Sequence, residues 1–437
     1  MRISPEEIDS AIAFSDYGID SILGGKFIEQ VNSRLSIRLN TAVVFEYPSL
    51  ARLSQYVLEA HRDQVEAGMH ERDAGGGTEK MLGAVSGAEQ KISKAPSRSG
   101  PALVRAPRAG RRVEEREARS SEIAVIGMSG MFPKAANVDE FWRNLVDGID
   151  GVEELPANYL DQRASHSTKK QAGKTRCKWG GVLRDRDCFD PLFFNLSPKE
   201  AESMNPHQRL VLQESWRAIE DAGYNPRVLS GTQTGIFIGA EPTGYMGESF
   251  TGYSDAIVAS RLSYVLNLNG PAFVVNTGCS SSAVAIHLAC ESLRNRETDL
   301  ALAGGVNACV SENVQIGLDQ IDMLSPSGRS RTFDSAADGT IISEGAAVVV
   351  LKRLDDAVRA GDLIYGVINA SGINQDGASN GITAPSGAAQ EQLITAVYQK
   401  FGIDPAKISY VEAHGTGTKL GDPVEGNALV RAFRRFT

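Results

Sequence analysis

Cysteine is scarce in this chain, with five in 437 residues and no Cys-x-x-Cys pair. An odd, scattered set excludes a disulfide framework and a paired-cysteine zinc site, so no metal is expected and a reducing, cytoplasmic compartment is. Positive charge is in deficit: 45 Lys and Arg face 54 Asp and Glu, for a net charge of -9. That balance argues against nucleic acid as a partner, because binding phosphate needs a basic surface. No apolar run approaches the ~18 residues of a membrane span. The opening Met1-Arg2-Ile3-Ser4-Pro5-Glu6-Glu7 turns acidic without an apolar stretch, so no signal peptide is expected. Aromatic residues are missing altogether from residues 61–120. What remains is ordinary soluble composition, 42% hydrophobic with 44 Gly, and length for two or three domains at ~150 residues each.

Composition divides the chain. From Ile22 through Phe27, Ile28, Val31 and Leu35, apolar residues recur every three or four positions, as one buried helix face requires. Pro48-Ser49 starts a second short helix over 50–58, with Ser49 as its cap. Residues 61–120 hold Gly75-Gly76-Gly77, scattered Pro and Ser, and the run Arg111-Arg112-Val113-Glu114-Glu115-Arg116. With so little apolar surface to bury, this stretch reads as a flexible tether. Beyond it the chain is α/β. Buried strands are expected at 122–127, 235–239, 272–276, 300–304 and 345–351, with helices at 208–222 and 281–294 between them. Strands so rich in Val, Ile and Ala are covered on both faces.

Chemistry concentrates where Val274-Val-Asn-Thr-Gly-Cys279-Ser-Ser-Ser runs from strand into helix. A helix N-terminus offers unpaired N–H groups and partial positive charge. Both favour a thiolate at Cys279, and the N–H groups can hold an oxyanion when that thiolate attacks a carbonyl. Cys290 and Cys309 read as buried structural thiols, and His287 as a structural histidine.

Thr277-Gly-Cys279-Ser-Ser-Ser resembles the nucleophile motif of the β-ketoacyl synthases of polyketide and fatty-acid synthesis. Glu122-Ile-Ala-Val-Ile-Gly-Met-Ser-Gly-Met-Phe-Pro133, Trp179-Gly-Gly and Phe189-Asp-Pro-Leu-Phe-Phe-Asn-Leu-Ser-Pro198 resemble successive stretches of that family. Asp322-Met-Leu-Ser-Pro-Ser-Gly-Arg and Thr332-Phe-Asp-Ser-Ala-Ala-Asp-Gly339 continue the order. Glu412-Ala-His414-Gly-Thr-Gly-Thr-Lys-Leu-Gly-Asp-Pro-Val-Glu425 is similar to its first histidine motif. The resemblance implies that Cys279 holds an acyl chain as a thioester. His414 would stabilise the enolate of a decarboxylating malonyl thioester, and Thr416 and Thr418 would hydrogen-bond the pantetheine arm. It further implies a thiolase-like fold layered αβαβα, with residues 121–372 as the first half and 373–437 as an incomplete second half. A homodimer built through the strand at 272–276 is implied too. The family's second histidine, in a Lys-Ser-Asn-Ile-Gly-His motif, is not among these residues. Acylation without condensation is therefore expected of them. Asn276, Gly278, Asn205-Pro-His-Gln and Thr340-Ile-Ile-Ser343 depart from the usual pattern without removing a catalytic atom.

Ahead of the tether, Phe14-Ser-Asp-Tyr-Gly-Ile-Asp20-Ser21-Ile22-Leu resembles the attachment motif of acyl carrier domains, and Thr41-Ala-Val-Val-Phe45-Glu-Tyr-Pro48 follows at carrier spacing. Residues 1–60 are thus expected to form a partial carrier domain lacking its first helix, with 4'-phosphopantetheine covalently on Ser21. Carrier followed by ketosynthase is the order at a polyketide synthase module boundary. The Trp179 and Phe189 motif regions look most like the class served by a separate acyltransferase. Other carriers and a phosphopantetheinyl transferase are the implied partners. Two alternatives stay open: a non-elongating ketosynthase that only transfers or scaffolds acyl chains, and a thiolase-like enzyme.

Overall fold

The structure, a computed structural model, describes residues 8–17, 21–62, 64–65, 122–156, 159, 166–245, 248–308, 312–379, 381 and 383–436. They fall into two compact units. Apart from 61, 62, 64 and 65, the expected tether lies outside the described residues, as does Cys309.

The first unit is helical. Helix α1 spans Ser21–Leu35, a single turn α2 spans Val43–Glu46, and α3 spans Leu50–Ala60. Ser49 caps α3 as its position predicts, its hydroxyl accepting the Arg52 N–H. The side chain of Asn32 closes the loop after α1, donating to the Leu39 carbonyl at 2.8 Å and accepting its N–H at 2.6 Å. Ile28, Leu39, Val44, Leu53 and Val57 meet in one core, which also takes in Val65, beyond residue 60.

The second unit is built on one six-stranded sheet. Its strands are β1 (Ile123–Met131), β2 (Thr234–Ala240), β3 (Ala272–Val275), β4 (Leu300–Asn307), β5 (Gly345–Arg353) and β6 (Gly366–Ile368). They lie in the order β3-β2-β4-β5-β1-β6. β2 is parallel to β3 and β4, while β5 is antiparallel to both β4 and β1. Five of these strands are those the apolar runs mark out. The sixth, β6, is short, and its sequence Gly-Val-Ile offers too little to read. Among the helices are α4 (Pro206–Asp221), α5 (Ser281–Arg294), α6 (Gly387–Phe401) and α7 (Gly421–Arg434). α4 packs on β1 and β5, and α5 packs on β2 and β4. Two apolar clusters result. One joins Leu210, Leu212 and Ile219 to Ile126, Ile236 and Ile238. The other joins Ala285, Ala289 and Leu293 to Phe237, Ala301 and Ala303. Residues pointing to opposite faces of one strand, such as Ile236 and Phe237, therefore enter different cores, which is why the strands read as unbroken apolar runs.

Beyond β6, residues 373–436 contribute α6 and α7, packed on each other, joined by a segment that includes Tyr410 and Val411, both exposed. Among the described residues this region adds no strand to a second large sheet. No described helix is long and apolar enough to cross a membrane.

Candidate active site

Cys279 stands in the turn between β3 and α5 and is exposed. Small residues bring it there. A Cβ on Gly239 of β2 would strike the backbone of Ser281 and Ser282, and one on Gly305 of β4 would come within 2.7 Å of the Ser282 Cβ. Gly239 and Gly305 are register partners. The first turn of α5 thus rests directly on two adjacent strands, with backbone where side chains would otherwise stand.

The turn is fixed by its own polar groups. Gly278 takes a left-handed φ of 65°. Its N–H donates to Asn276 Oδ1 at 3.1 Å, while Ser281 Oγ accepts the Thr277 N–H at 2.9 Å and donates to the Gly278 carbonyl at 2.6 Å. Ser280 Oγ donates to the Thr277 carbonyl at 3.0 Å. The departures at 276 and 278 are therefore working parts of the turn: Asn276 supplies the acceptor and Gly278 the backbone freedom. In the first turn of α5 the Ser281 N–H donates to the Gly278 carbonyl at 3.1 Å and the Val284 N–H to the Ser280 carbonyl at 3.0 Å. The N–H groups of Ser282 and Ala283, which reach no carbonyl four residues back within the helix, are thus the ones that can hold a developing oxyanion.

The other thiols contrast. Burial pushes the Cys290 thiol up to about 11, and burial also raises Cys177. Cys290 is structural, as its helical setting suggests. Cys188 is exposed but lies in no such turn. His287 Nδ1 pairs with Ser371 Oγ at 2.9 Å, and burial holds its imidazole below the usual histidine value.

His414 is exposed, in the middle of the loop that leads to α7. α7 grips this loop by its backbone. Glu425 accepts the His414 N–H at 2.6 Å and the Gly415 N–H at 2.8 Å through its two oxygens. Asp422, one turn earlier and buried, accepts the Gly417 N–H at 3.0 Å. From the other side, Thr332 Oγ1 donates to the Gly415 carbonyl at 2.7 Å and Gly339 N–H donates to the Gly417 carbonyl at 2.9 Å. Gly415 and Gly417 have φ of 54° and 68°. A Cβ on Gly415 would meet Thr332 at 2.5 Å, so these glycines serve close backbone packing as well as conformation. In the sequence Asp422 and Glu425 only close the histidine motif, but their i, i+3 spacing on a helix is the signal that both face the loop.

Thr416 and Thr418 share a hydrogen bond at 2.8 Å between hydroxyls, and Thr418 Oγ1 also accepts the Gly421 N–H at 3.0 Å. Thr418 therefore ties down the start of α7, and either hydroxyl of the pair can be the donor within it. No hydrogen bond joins Cys279 to His414 among the described residues. Ser21 is the first residue of α1; Asp20 lies outside the described residues.

Comparison with known proteins agrees with this arrangement. Residues 120–357 match the N-terminal domain of β-ketoacyl synthases, 365–437 their C-terminal domain, and 1–57 the phosphopantetheine attachment site. Polyketide synthase PksN of Bacillus subtilis is 40% identical over 446 aligned residues, covering all of this chain and 8% of the relative. Polyketide synthase PksL of the same organism is 39% identical over 446 aligned residues, covering all of this chain and 10% of its own length. The chain thus spans a small part of these relatives. Among solved structures, the ketosynthase from module 6 of the bacillaene synthase of Bacillus subtilis 168 matches with a TM-score of 0.69 and 46% identity, over 72% of this chain and 55% of that one. The oxazolomycin ketosynthase domain OzmH KS7 of Streptomyces albus matches with a TM-score of 0.70 and 39% identity, over 72% and 56%. The chain belongs to the β-ketoacyl synthase family, as a thiolase-like ketosynthase of polyketide synthases preceded by a domain that carries 4'-phosphopantetheine.

Proposed function

We propose that Cys279 accepts an acyl chain and that the site then joins it to a malonyl-type unit by decarboxylative condensation. The exposure of Cys279 at the foot of α5, while Cys290 and Cys177 are buried, carries this reading. In the first half-reaction the Cys279 thiolate attacks the thioester carbonyl. A carbon–sulfur bond forms to Cys279, the bond to the donor's pantetheine sulfur breaks, and that sulfur leaves as a thiolate that takes up a proton equivalent to the one the Cys279 thiol gave up. First-turn N–H groups of α5 stabilise the oxygen charge between these events. In the second, the malonyl carbon–carbon bond breaks, carbon dioxide leaves, and the electron pair forms an enolate that His414 stabilises by hydrogen bonding. The enolate carbon attacks the Cys279 thioester and releases the thiolate.

Thr416 and Thr418, whose hydroxyls share one hydrogen bond, would hydrogen-bond the substrate's pantetheine arm with the proton that the pair leaves free. Ser21 is the attachment point on the carrier, whose bound phosphopantetheine supplies a flexible thiol for acyl chains. The family's second histidine is not among residues 1–437, so we expect this chain to acylate without completing condensation. Strand β3 supports a homodimer: among the described residues it pairs only with β2, and Phe273 on this open edge is exposed. Further partners under this reading are other acyl and malonyl carriers, a phosphopantetheinyl transferase and a separate acyltransferase, all acting in the cytoplasm.

Elongation differs from bare acyl transfer in releasing carbon dioxide. Acyl-enzyme and carbon dioxide should be measured on the chain and on a version completed to the length of its structural neighbours. In the completed protein, Cys279→Ala should lose the acyl-enzyme. His414→Ala should keep it and lose carbon dioxide release by ~10²-fold or more. Equal loss of both steps in His414→Ala would refute the division of roles. A completed protein that acylates but never decarboxylates would be a transfer or scaffold domain.

A further inference from the structure

Phe333 has a φ of 59°, in the left-handed region. Among the described residues seven non-glycine positions share a positive φ, and the other six are Ser, Lys, Arg, Asp or Asn. Asn and Asp accept this backbone readily, whereas for a bulky aromatic it is strained. Burial of the ring does not offset the strain, since Phe333 is 54% exposed. Two neighbours hold it in place. Buried Asp422 accepts the Phe333 N–H at 2.6 Å with one oxygen and the Gly417 N–H with the other, and Thr332 is bound to the Gly415 carbonyl. The backbone that strains Phe333 is thus the backbone that braces the His414 loop. The ring edge faces Gly426, with 3.8 Å from Cε1 to the position a Cβ would take there. Gly426 follows Glu425, the residue that grips His414 and Gly415.

A strained residue whose ring stays in solvent, fixed beside a reactive loop, is what a ligand contact requires and what stability alone disfavours. We infer that Phe333 is a substrate-positioning residue, an apolar platform for the pantetheine arm of the incoming thioester next to the braced His414 loop. This rests on the ketosynthase reading above.

The test compares Phe333→Ala, Phe333→Gly and Phe333→Leu in acyl transfer from an acyl-pantetheine thioester to Cys279, over a range of donor concentrations. Ala and Gly should raise the apparent KM by roughly tenfold, the scale of one lost apolar contact, with kcat within about twofold. Leu should recover most of the loss. Glycine relieves a left-handed backbone and alanine does not, so Phe333→Gly should melt at or above Phe333→Ala. Alkylation of Cys279 by iodoacetamide, which has no pantetheine arm, should proceed equally in all the proteins. An unchanged KM in Ala and Gly, or a Gly variant that melts below Ala, overturns the inference. If the unaltered chain fails to acylate Cys279, the ketosynthase reading itself is at fault.

Discussion

At the scale of single residues, identical side chains are set apart by their surroundings. Cys279 and Cys290 lie eleven positions apart across the same helix start, yet one thiol is exposed and the other is held up to about 11 by burial. His207 shows the same logic. It is buried in α4, its Nε2 accepts the Ala308 N–H at 2.9 Å, and its Nδ1 has no hydrogen-bond partner among the described residues. Burial lowers its pKa from 6.5 to about 4. In the unfolded chain His207 takes up a proton as pH falls through 6.5, while in the folded chain it resists until about pH 4. The stability contributed by the neutral ring is therefore present above pH 6.5 and lost as pH falls toward 4, at most on the order of 3 kcal/mol. His207→Gln, which keeps an acceptor for Ala308, should flatten the decline between these pH values in urea melts. A decline as steep as that of the unaltered chain would show that another group sets it.

At the scale of elements, the position of Cys279 depends on how closely α5 approaches the sheet. Gly305→Ala places a methyl group 2.7 Å from the Ser282 Cβ, so helix or strand must shift. Overpacking of this kind typically costs ~1–3 kcal/mol. We expect a lower midpoint of unfolding together with slower acylation of Cys279, because the displaced turn no longer presents the N–H groups to the thioester. Unchanged acylation in a protein destabilised to that degree would separate the helix seat from the chemistry. Strand and helix positions were legible because they depend on local pattern: apolar runs for β2 and β4, a three-to-four periodicity for α1, and Ser49 ahead of α3. The glycine seat was not, because Gly239 and Gly305 lie 66 positions apart and only strand pairing makes them neighbours.

At the scale of the whole molecule, motif order made the family readable, and the positions of Cys279 and His414 followed from it. The tension at Phe333 and the bonding of Thr418 escaped sequence reading. Each depends on which backbone group a carboxylate or hydroxyl meets after folding, and residue type does not encode that. The same holds for the carrier core, where Val65 joins residues from α1 and α3 from beyond the apparent end of the helical pattern. The proposed function calls for two different covalent events on one chain, a phosphate ester at the Ser21 hydroxyl and a thioester at the Cys279 thiol. Peptide mapping by mass spectrometry after treatment with coenzyme A and a phosphopantetheinyl transferase, and separately with an acyl-pantetheine thioester, tests both together. The expected map has phosphopantetheine on Ser21 alone and the acyl group on Cys279, each lost in Ser21→Ala or Cys279→Ala. An acyl group spread equally over Cys188 and Cys279, or one that persists in Cys279→Ala, would contradict Cys279 as the nucleophile.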